Sequence, residues 1–204
     1  MFDVETLGKE SNSVMLSLAA IYFDPDSRPS HEELRKSAIF IKFDVADQMR
    51  RLNRKVGKTT MQWWAKQCDN VRRKSFDVSN DDIVFEQGYE NLRKWADSKN
   101  DKSCYVWARG NLDQLVMDSF EEQLEIEPLW PFQRWRDVRT AIDFLYNTNK
   151  GYCEVNYPNF DPFLHITKHN PVDDCVYDIM QLLYGKVQKW TLKPQQLHSQ
   201  APYY

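Results

Sequence analysis

The sequence predicts a single α/β domain built around a mixed β-sheet. Two apolar runs of strand length occur near the N-terminus, and further short strands alternate with helices later in the chain. That order is typical of a sheet flanked by helices. The 204 residues, of which 42% are hydrophobic, supply enough material for one packed core. We expect the domain to cover residues 1–190, and residues 191–204 to form a loosely ordered tail.

The first predicted elements are two neighbouring strands. Residues 14–23 form an apolar run of strand length, and Asp24, Pro25 and Asp26 follow it as a turn signal. Residues 38–43 have the composition of a second strand. Because a turn-rich link joins the two runs, we expect them to pair in an antiparallel arrangement.

Two helices are predicted in the middle of the chain. Thr59 or Thr60 is a candidate cap for the first helix, which carries Trp63 and Trp64. The second helix is predicted over residues 81–97, where apolar residues recur at helical spacing.

Short strands then alternate with helices. Residues 104–108 predict a buried strand, and a helix over residues 112–124 follows, with Asn111 as its cap. Residues 134–138 predict another short strand, which leads into a helix over residues 138–146.

A long loop and a helix complete the domain. Residues 148–168 are rich in Tyr, Pro and Asn, and a loop of this length in a compact domain usually carries a function or is disordered. Asn170 as a cap and Pro171 at the first helical position predict a helix over residues 171–189.

The composition excludes several classes of protein. The net charge of −3 gives no overall basic field, so nucleic-acid binding would need a local patch. No apolar run reaches the roughly 18 residues that a membrane span needs, and the N-terminus lacks a signal-peptide pattern. The four cysteines are widely spaced, which predicts reduced thiols in the cytoplasm rather than a disulfide framework or a zinc site.

Asp3 and Glu5 form the first candidate motif for chemistry. In a strand, side chains two residues apart lie on one face, so both carboxylates would be neighbours. Two adjacent carboxylates repel one another unless a cation lies between them, and hard ions such as Mg²⁺ prefer oxygen ligands. A solvent-exposed acidic strand end would give the same pattern.

Asp113 is the second candidate. It falls in the first turn of the helix that follows the predicted strand at residues 104–108. Ligand sites in open α/β sheets lie at that end of the strands. The alternative is a carboxylate that only complements the helix dipole.

The third candidate runs from His169 to Asp174. His169 precedes the predicted helix and Asp174 lies in its first turn, so an imidazole and a carboxylate can approach one site from the same side. The alternatives are a locally hydrogen-bonded loop histidine and, at Asp173 and Asp174, carboxylates that complement the helix dipole.

The order and type of these three motifs resemble the DEDDh group of 3′–5′ exonucleases, which have a ribonuclease-H-like fold. The motifs extend from residue 3 to residue 174 and therefore cover most of the chain. Shorter segments are similar to the exonuclease A proteins of T-even-type bacteriophages and to related bacterial exoribonucleases. Those segments are Phe2–Gly8, Ile41–Asp44, Trp63–Trp64, Arg136–Thr140 and His169–Asp178.

The resemblance implies two-metal hydrolysis from the 3′ end of single-stranded DNA or RNA. Asp3, Glu5 and Asp174 would hold one Mg²⁺ or Mn²⁺, and Asp3 would also bind the second ion, with Asp113 acting on it directly or through water. His169 would deprotonate the attacking water, and a 5′-mononucleotide would leave. Two ions about 4 Å apart can stabilise both the entering and the leaving oxygens. An unperturbed pKa of about 6.5 suits histidine as the base at neutral pH.

The resemblance also bears on location, assembly and the first strand. If the chain is encoded by a phage, it would act in the host cytoplasm, and a homodimer is an option that related proteins leave open. Only two residues precede Asp3, fewer than is usual in this group. The first strand is therefore short, or the native start lies further upstream.

Two basic clusters are candidates for contacts with phosphates. They either neutralise phosphates, in which case binding weakens steeply with salt, or form solvated loops. The clusters are Arg50, Arg51, Arg54, Lys55 and Lys58, and Arg72, Arg73 and Lys74.

Further candidates lie close to the acidic motifs. Neighbouring tryptophans on a helix cannot both face the core, so one can stack on a base, and we select Trp64 for that role. The resemblance implies that Leu7 and Gly8 meet the terminal nucleotide. Arg109 and Asn111 are candidates for binding phosphate or for lining the site.

Two other classes of function remain as alternatives. The chain is either a nucleic-acid-binding module that keeps the fold but does not cleave, or an interaction protein whose acidic residues are only helix caps. All five site residues are present, which favours the enzyme. The sequence leaves DNA and RNA open, because no residue predicts a contact with a 2′-hydroxyl.

Overall fold

Five strands and nine helices are formed by the residues that the computed structural model describes, which are 1–99, 101 and 103–188. The strands are β1 (Phe2–Thr6), β2 (Met15–Ala20), β3 (Ile39–Lys42), β4 (Val106–Ala108) and β5 (Trp135–Asp137). The helices are α1 (His31–Ser37), α2 (Val45–Arg50), α3 (Lys58–Trp64), α4 (Asp69–Phe76), α5 (Phe85–Ser98), α6 (Leu112–Gln123), α7 (Val138–Tyr146), α8 (Pro162–His165) and α9 (Pro171–Tyr184). The predicted tail at residues 191–204 lies outside the described residues.

Strands β1, β2 and β3 form an antiparallel sheet with β2 in the middle. Phe2 lies opposite Ala20 in the first pair, and Ala20 lies opposite Ile39 in the second. Every residue of β2 is buried, as expected for a continuous apolar run covered on both faces. The predicted antiparallel pairing of residues 14–23 with residues 38–43 is therefore confirmed.

Strands β4 and β5 form a separate parallel pair, which lies beside β1. No ladder of hydrogen bonds joins β1 to β4 within the described residues. Instead, the backbone N–H of Val4 donates to the carboxylate of Asp113 at 3.1 Å. The predicted α/β class is confirmed, but the strands are divided between an antiparallel sheet and a parallel pair.

Four short helices, α1, α2, α4 and α8, were not predicted from the sequence. Helix α1 occupies the link between β2 and β3, and Ser30 and Glu33 form a capping box at its start. Helix α2 begins behind Asp44, whose side chain accepts from the backbone N–H of Asp47. The spacing of Ser30 and Glu33 is a recognised start signal, so α1 could have been found from the sequence.

No described helix is both long and apolar enough to cross a membrane.

Two predicted helix starts are wrong. Helix α3 begins behind Gly57, which has no side chain for capping, so neither Thr59 nor Thr60 is the cap. Helix α5 begins at residue 85 rather than 81, because Ile83 is held extended by hydrogen bonds with the backbone of Lys42 and Asp44.

The helices near the C-terminus follow the sequence signals more closely. Helix α7 covers the predicted residues 138–146. Asn170 caps α9 by accepting from the backbone N–H groups of Val172 and Asp173. Helix α9 ends at Tyr184, short of the predicted residue 189, and the predicted loop contains the short helix α8.

The core lies on both faces of the antiparallel sheet. Leu18 packs with residues of α5 and α6 on one face, whereas its neighbour Ala19 packs with α7 and α9 on the other. This alternation follows from the two-residue period of a strand. Because α9 packs against β1 and β2, its first turn lies beside the carboxylates of β1.

Two arginines of the first basic cluster, for which phosphate binding and a solvated loop were both left open, bind other groups of the protein instead. Arg54 is buried, donates to the carbonyl of Ser13 and lies over the ring of Phe120 at 3.5 Å. Arg51 pairs with the carboxylates of Asp47 and Glu86. Because both side chains already bind other groups of the protein, they are not available to phosphates.

The four cysteines are all free, as predicted.

Candidate active site

The five residues expected to carry chemistry line one cleft of about 930 Å³. Asp3 and Glu5 come from β1, Asp113 from the first turn of α6, and His169 and Asp174 from the start of α9. The volume is at the upper end of that found for ligand pockets. The structure thus brings together residues that are up to 171 positions apart in sequence, from 3 to 174.

Backbone hydrogen bonds fix the carboxylate of Asp113 against β1. Asp3 and Glu5 flank Val4, whose N–H donates to Asp113 Oδ1 at 3.1 Å. Gly110, in the left-handed region at φ +88°, makes the sharp turn that connects β4 to α6. The turn after β4 therefore places Asp113, in the first turn of α6, at the edge of β1.

The turn before α9 places the imidazole of His169 next to Asp174. His169 has a φ of +63°, which is unusual for a residue with a side chain. Its backbone N–H donates to Asp174 Oδ2 at 2.9 Å. The cap at the start of α9 and this hydrogen bond together hold the backbone of His169 in its left-handed conformation.

The donor set fits a hard divalent cation. Glu5, His169 and Asp174 each offer one ligand atom, and these three atoms lie within 4.8 Å of one another. Asp3 Oδ2 is buried and has no hydrogen-bond partner among the residues that the structure describes. A buried carboxylate oxygen without a donor is costly, and a cation among the carboxylates would remove that cost.

The carboxylates are electrostatically strained without a cation. Burial raises the pKa of Asp113 and of Asp174 to about 7. Burial, followed by repulsion from Asp113 and Asp174, raises the pKa of Asp3 well above its usual range. The pKa of Glu5 is raised well above its usual range by burial and by the charges of the same two residues. Each shift disfavours the ionised form that a metal ligand needs, so a cation and the ionised cluster stabilise each other.

We expect the metal-free protein to lose stability as the pH rises from about 4 to about 7. Asp113 and Asp174 hold protons in the folded state up to about pH 7, whereas an unfolded chain releases them near pH 4. The folded state therefore binds more protons over this interval, and the free energy of unfolding falls with pH. Thermal unfolding in a chelator measures the effect, and added Mg²⁺ at the higher pH should reverse it.

Asp174→Asn is the matched control for that experiment. Removing one raised carboxyl should make the fall shallower, and the difference between the two proteins cancels contributions from the other titrating groups. An equal fall in both proteins would contradict the assignment of Asp174 to the strained cluster.

The imidazole of His169 lies against an aromatic wall. Its ring centre is 4.6 Å from that of Trp63, at an interplanar angle of 84°. Burial, aided by the charge of Lys168, lowers the pKa of His169. The ring is therefore neutral at neutral pH and can accept a proton.

The structure reverses the roles predicted for the two tryptophans. Trp64 is 1% exposed, and its indole N–H donates to the carbonyl of Thr6 at 3.0 Å. Trp63 is 40% exposed and lines the cleft. The prediction that Trp64 stacks on a base is wrong, because its faces are covered by the core. Helical spacing alone did not distinguish the two, since only tertiary packing determines which side of α3 faces Leu7 and Leu16.

Arg109 and Asn111 have different surroundings. Arg109 lines the cleft, but its guanidinium pairs with Asp178 and donates to the carbonyl of Gly151 at 2.7 Å. It is therefore committed to positioning its neighbours. Asn111 is exposed and lines a separate hollow next to Gly110 and Gln114 rather than the cleft.

Leu7 and Gly8 also differ. The side chain of Leu7 is buried with Trp64, and Leu7 does not line the cleft, so its predicted contact with the terminal nucleotide is not supported. Gly8 lines the cleft, and a Cβ at that position would lie 2.2 Å from Ser13 Oγ, which explains the need for glycine.

Several residues that sequence reasoning missed line the cleft. Lys9 and Lys168 are exposed cations, and Tyr152 and Phe163 are exposed aromatics. Their only signal was that three of them, Tyr152, Phe163 and Lys168, fall in the long loop at residues 148–168, which was expected to be functional. The cleft therefore combines an acidic floor with a cationic and aromatic rim.

Comparison with known proteins agrees with this geometry. Over 91% of its length, the chain is 28% identical to a protein of Enterobacteria phage T4 named "Exodeoxyribonuclease", and the match covers 87% of that relative. A sequence model described as the 3′-5′ exoribonuclease Rv2179c-like domain matches residues 1–184, which span all five site residues. The chain therefore belongs to the Rv2179c-like 3′-5′ exoribonuclease family.

Proposed function

We propose that this protein is a metal-dependent exonuclease that hydrolyses phosphodiester bonds from the 3′ end of a single-stranded nucleic acid and releases 5′-mononucleotides. The observation that carries the proposal is the convergence of four carboxylates and one histidine on a single cleft. The order of these residues along the chain is that of the DEDDh exonucleases, and the proposal includes their ribonuclease-H-like fold.

The four carboxylates would hold two divalent ions, Mg²⁺ or Mn²⁺. Glu5 and Asp174 form one end of the cluster, and Asp3 joins them to Asp113 through the shared edge of β1. When bound, the ions supply positive charge that stabilises the entering and leaving oxygens of the displacement.

His169 is the proposed general base. Its lowered pKa keeps the ring neutral, and its position beside Asp174 directs it toward a water molecule at the carboxylates. Its contact with Trp63 and the backbone hydrogen bond to Asp174 restrict the motion of the loop. Proton acceptance therefore takes place at a fixed point of the cleft.

The rim suits a single strand better than a duplex. Trp63 and Phe163 offer exposed aromatic faces on which unpaired bases can stack. Lys9 and Lys168 supply positive charge for the backbone phosphates. The matched family is described as an exoribonuclease, whereas the phage relative is named an exodeoxyribonuclease. Both RNA and DNA must therefore be tested as substrates.

The proposal predicts stepwise shortening of both a 5′-labelled RNA and a 5′-labelled DNA strand, or of one of them, in the presence of Mg²⁺ or Mn²⁺. A 3′ label should be released at once as a mononucleotide, because hydrolysis begins at that end. The assay compares single strands, blocked 3′ ends and reactions with chelator. Binding without any product would instead identify a nucleic-acid-binding module, and loss of the 5′ label first would reverse the direction.

A further inference from the structure

The segment Arg136–Thr140 ties the ends of two strands together beside the cleft. Asp137 closes β5 and caps α7 by accepting from the backbone N–H groups of Arg139 and Thr140. The same carboxylate accepts from Gly110 N at 2.9 Å, at the end of β4. This double role fixes the start of α7 against the turn that leads to Asp113.

Gly151 makes room for the side chain of Arg139, and Gly110 lies next to its guanidinium. A Cβ on Gly151 would lie 2.6 Å from both Cβ and Cγ of Arg139, which no residue could accommodate without movement. A Cβ on Gly110 would lie 3.6 Å from an Arg139 guanidinium nitrogen. Both glycines have a positive φ, +68° and +88° respectively. The side chain of Arg139 therefore packs against the backbone of Gly151, and its guanidinium reaches Gly110 in the turn before Asp113.

Arg139 and Arg109 both lie next to Gly151 but have different partners. Arg109 is paired with Asp178, bonded to the carbonyl of Gly151 and stacked on Tyr152 at 4.1 Å. The exposed Arg139 lines the same cleft, and within the described part of the chain its guanidinium has no ion pair or hydrogen bond. The acidic floor is close to it, since the charge of Arg139 partly offsets the rise that burial causes in the pKa of Asp113.

We propose that Arg139 binds a phosphate of the substrate strand as that strand enters the cleft. The inference rests on the proposed exonuclease function and goes beyond it by assigning a phosphate-binding residue. A guanidinium offers a planar fork of N–H donors that matches two phosphate oxygens. An acidic cleft repels a polyanion, so an uncommitted cation at its edge is needed to hold the strand near the carboxylates.

The test compares Arg139→Gln with the wild-type protein in steady-state digestion of a labelled single strand over a series of salt concentrations. We expect KM to rise about tenfold, since one charge-assisted contact is lost. The slope of log KM against log salt should fall by about 0.7, the value for one phosphate contact on a single strand. The concentration of Mg²⁺ that gives half-maximal rate should stay the same.

Two further variants separate a phosphate contact from a general effect of charge. Arg136→Gln removes the same charge from the same segment, but Arg136 lies outside the cleft and stacks on Tyr105. It should keep the wild-type KM. Arg139→Lys should restore the salt slope but only part of the KM, because an ammonium cannot form the fork.

The outcomes distinguish this inference from the proposed function. No product from the wild-type protein would remove the exonuclease and this inference together. A wild-type protein that cleaves, with Arg139→Gln at the wild-type KM and salt slope, would overturn only the role of Arg139. Equal losses in Arg139→Gln and Arg136→Gln would overturn it as well, because they would show a general effect of charge.

Discussion

Replacing Asp174 with asparagine is expected to lower kcat by about 10³-fold or more, with the fold preserved. One oxygen of the carboxylate lies within 4.8 Å of ligand atoms of Glu5 and His169, and loss of its charge would remove one end of the proposed metal cluster. Asparagine is preferable to alanine here. Its amide oxygen can still accept the hydrogen bond from His169 N, which Asp174 Oδ2 accepts at 2.9 Å.

Asp173→Asn is the matched control, because it changes the same charge in the same helical turn. The Asp173 carboxylate pairs with Arg35 and accepts from the backbone N–H of Thr167, outside the cleft. We expect this variant to keep its turnover, although its stability should fall with the loss of the ion pair. Full activity in Asp174→Asn, or equal losses in both variants, would remove Asp174 from the mechanism.

Replacing His169 with asparagine is expected to lower kcat by about 10²- to 10⁴-fold, the range for loss of a general base. Asparagine tolerates the left-handed backbone at φ +63° better than alanine, so the variant tests the imidazole rather than the loop. Metal affinity should change little, and calorimetric titration of Mn²⁺ measures it. A neutral imidazole that accepts a proton also predicts that kcat falls at acidic pH in the wild-type protein, and that this limb is lost in the variant.

His165→Asn is the control for loss of an imidazole from the same region. His165 contacts His31 and Phe160 and does not line the cleft. Its replacement should leave kcat unchanged. If the metal affinity of His169→Asn fell in step with its rate, His169 would be a metal ligand rather than the base.

Much of the secondary structure could be predicted because its signals are local. The apolar run of β2, the cap at Asn170 and Pro171 at the first turn of α9 each act within a few residues. The short helices α2 and α4 carry weaker signals and depend on packing against the sheet. The division of the strands into an antiparallel sheet and a parallel pair could not be predicted. It depends on a hydrogen bond from the backbone N–H of Val4 in β1 to the side chain of Asp113, which is 109 residues away in sequence.

The acidic and histidine residues of the site were predictable because their types suit metal binding and their order along the chain resembles that of the DEDDh group. Asp3, Glu5, Asp113, His169 and Asp174 converge on one cleft as the sequence predicts. The substrate-binding residues were predicted less well. Choosing between Trp63 and Trp64 requires knowledge of which face of α3 is buried.

The arginines illustrate the same limit. A sequence gives the number of cations but not their partners, and Arg54 and Arg109 both prove to be committed to other protein groups. Arg139 carries no local signal that separates it from Arg136, because its neighbours Gly110 and Gly151 come from other segments of the chain. The function of a charged side chain therefore follows from its uncommitted donors, which only a structure reveals.

The most direct test of the central claim is an anomalous-scattering map from crystals of the protein soaked in Mn²⁺. The account predicts two peaks inside the cleft, in contact with the carboxylates of Asp3, Glu5, Asp113 and Asp174. The absence of any peak there, or peaks held only by residues elsewhere, would contradict it.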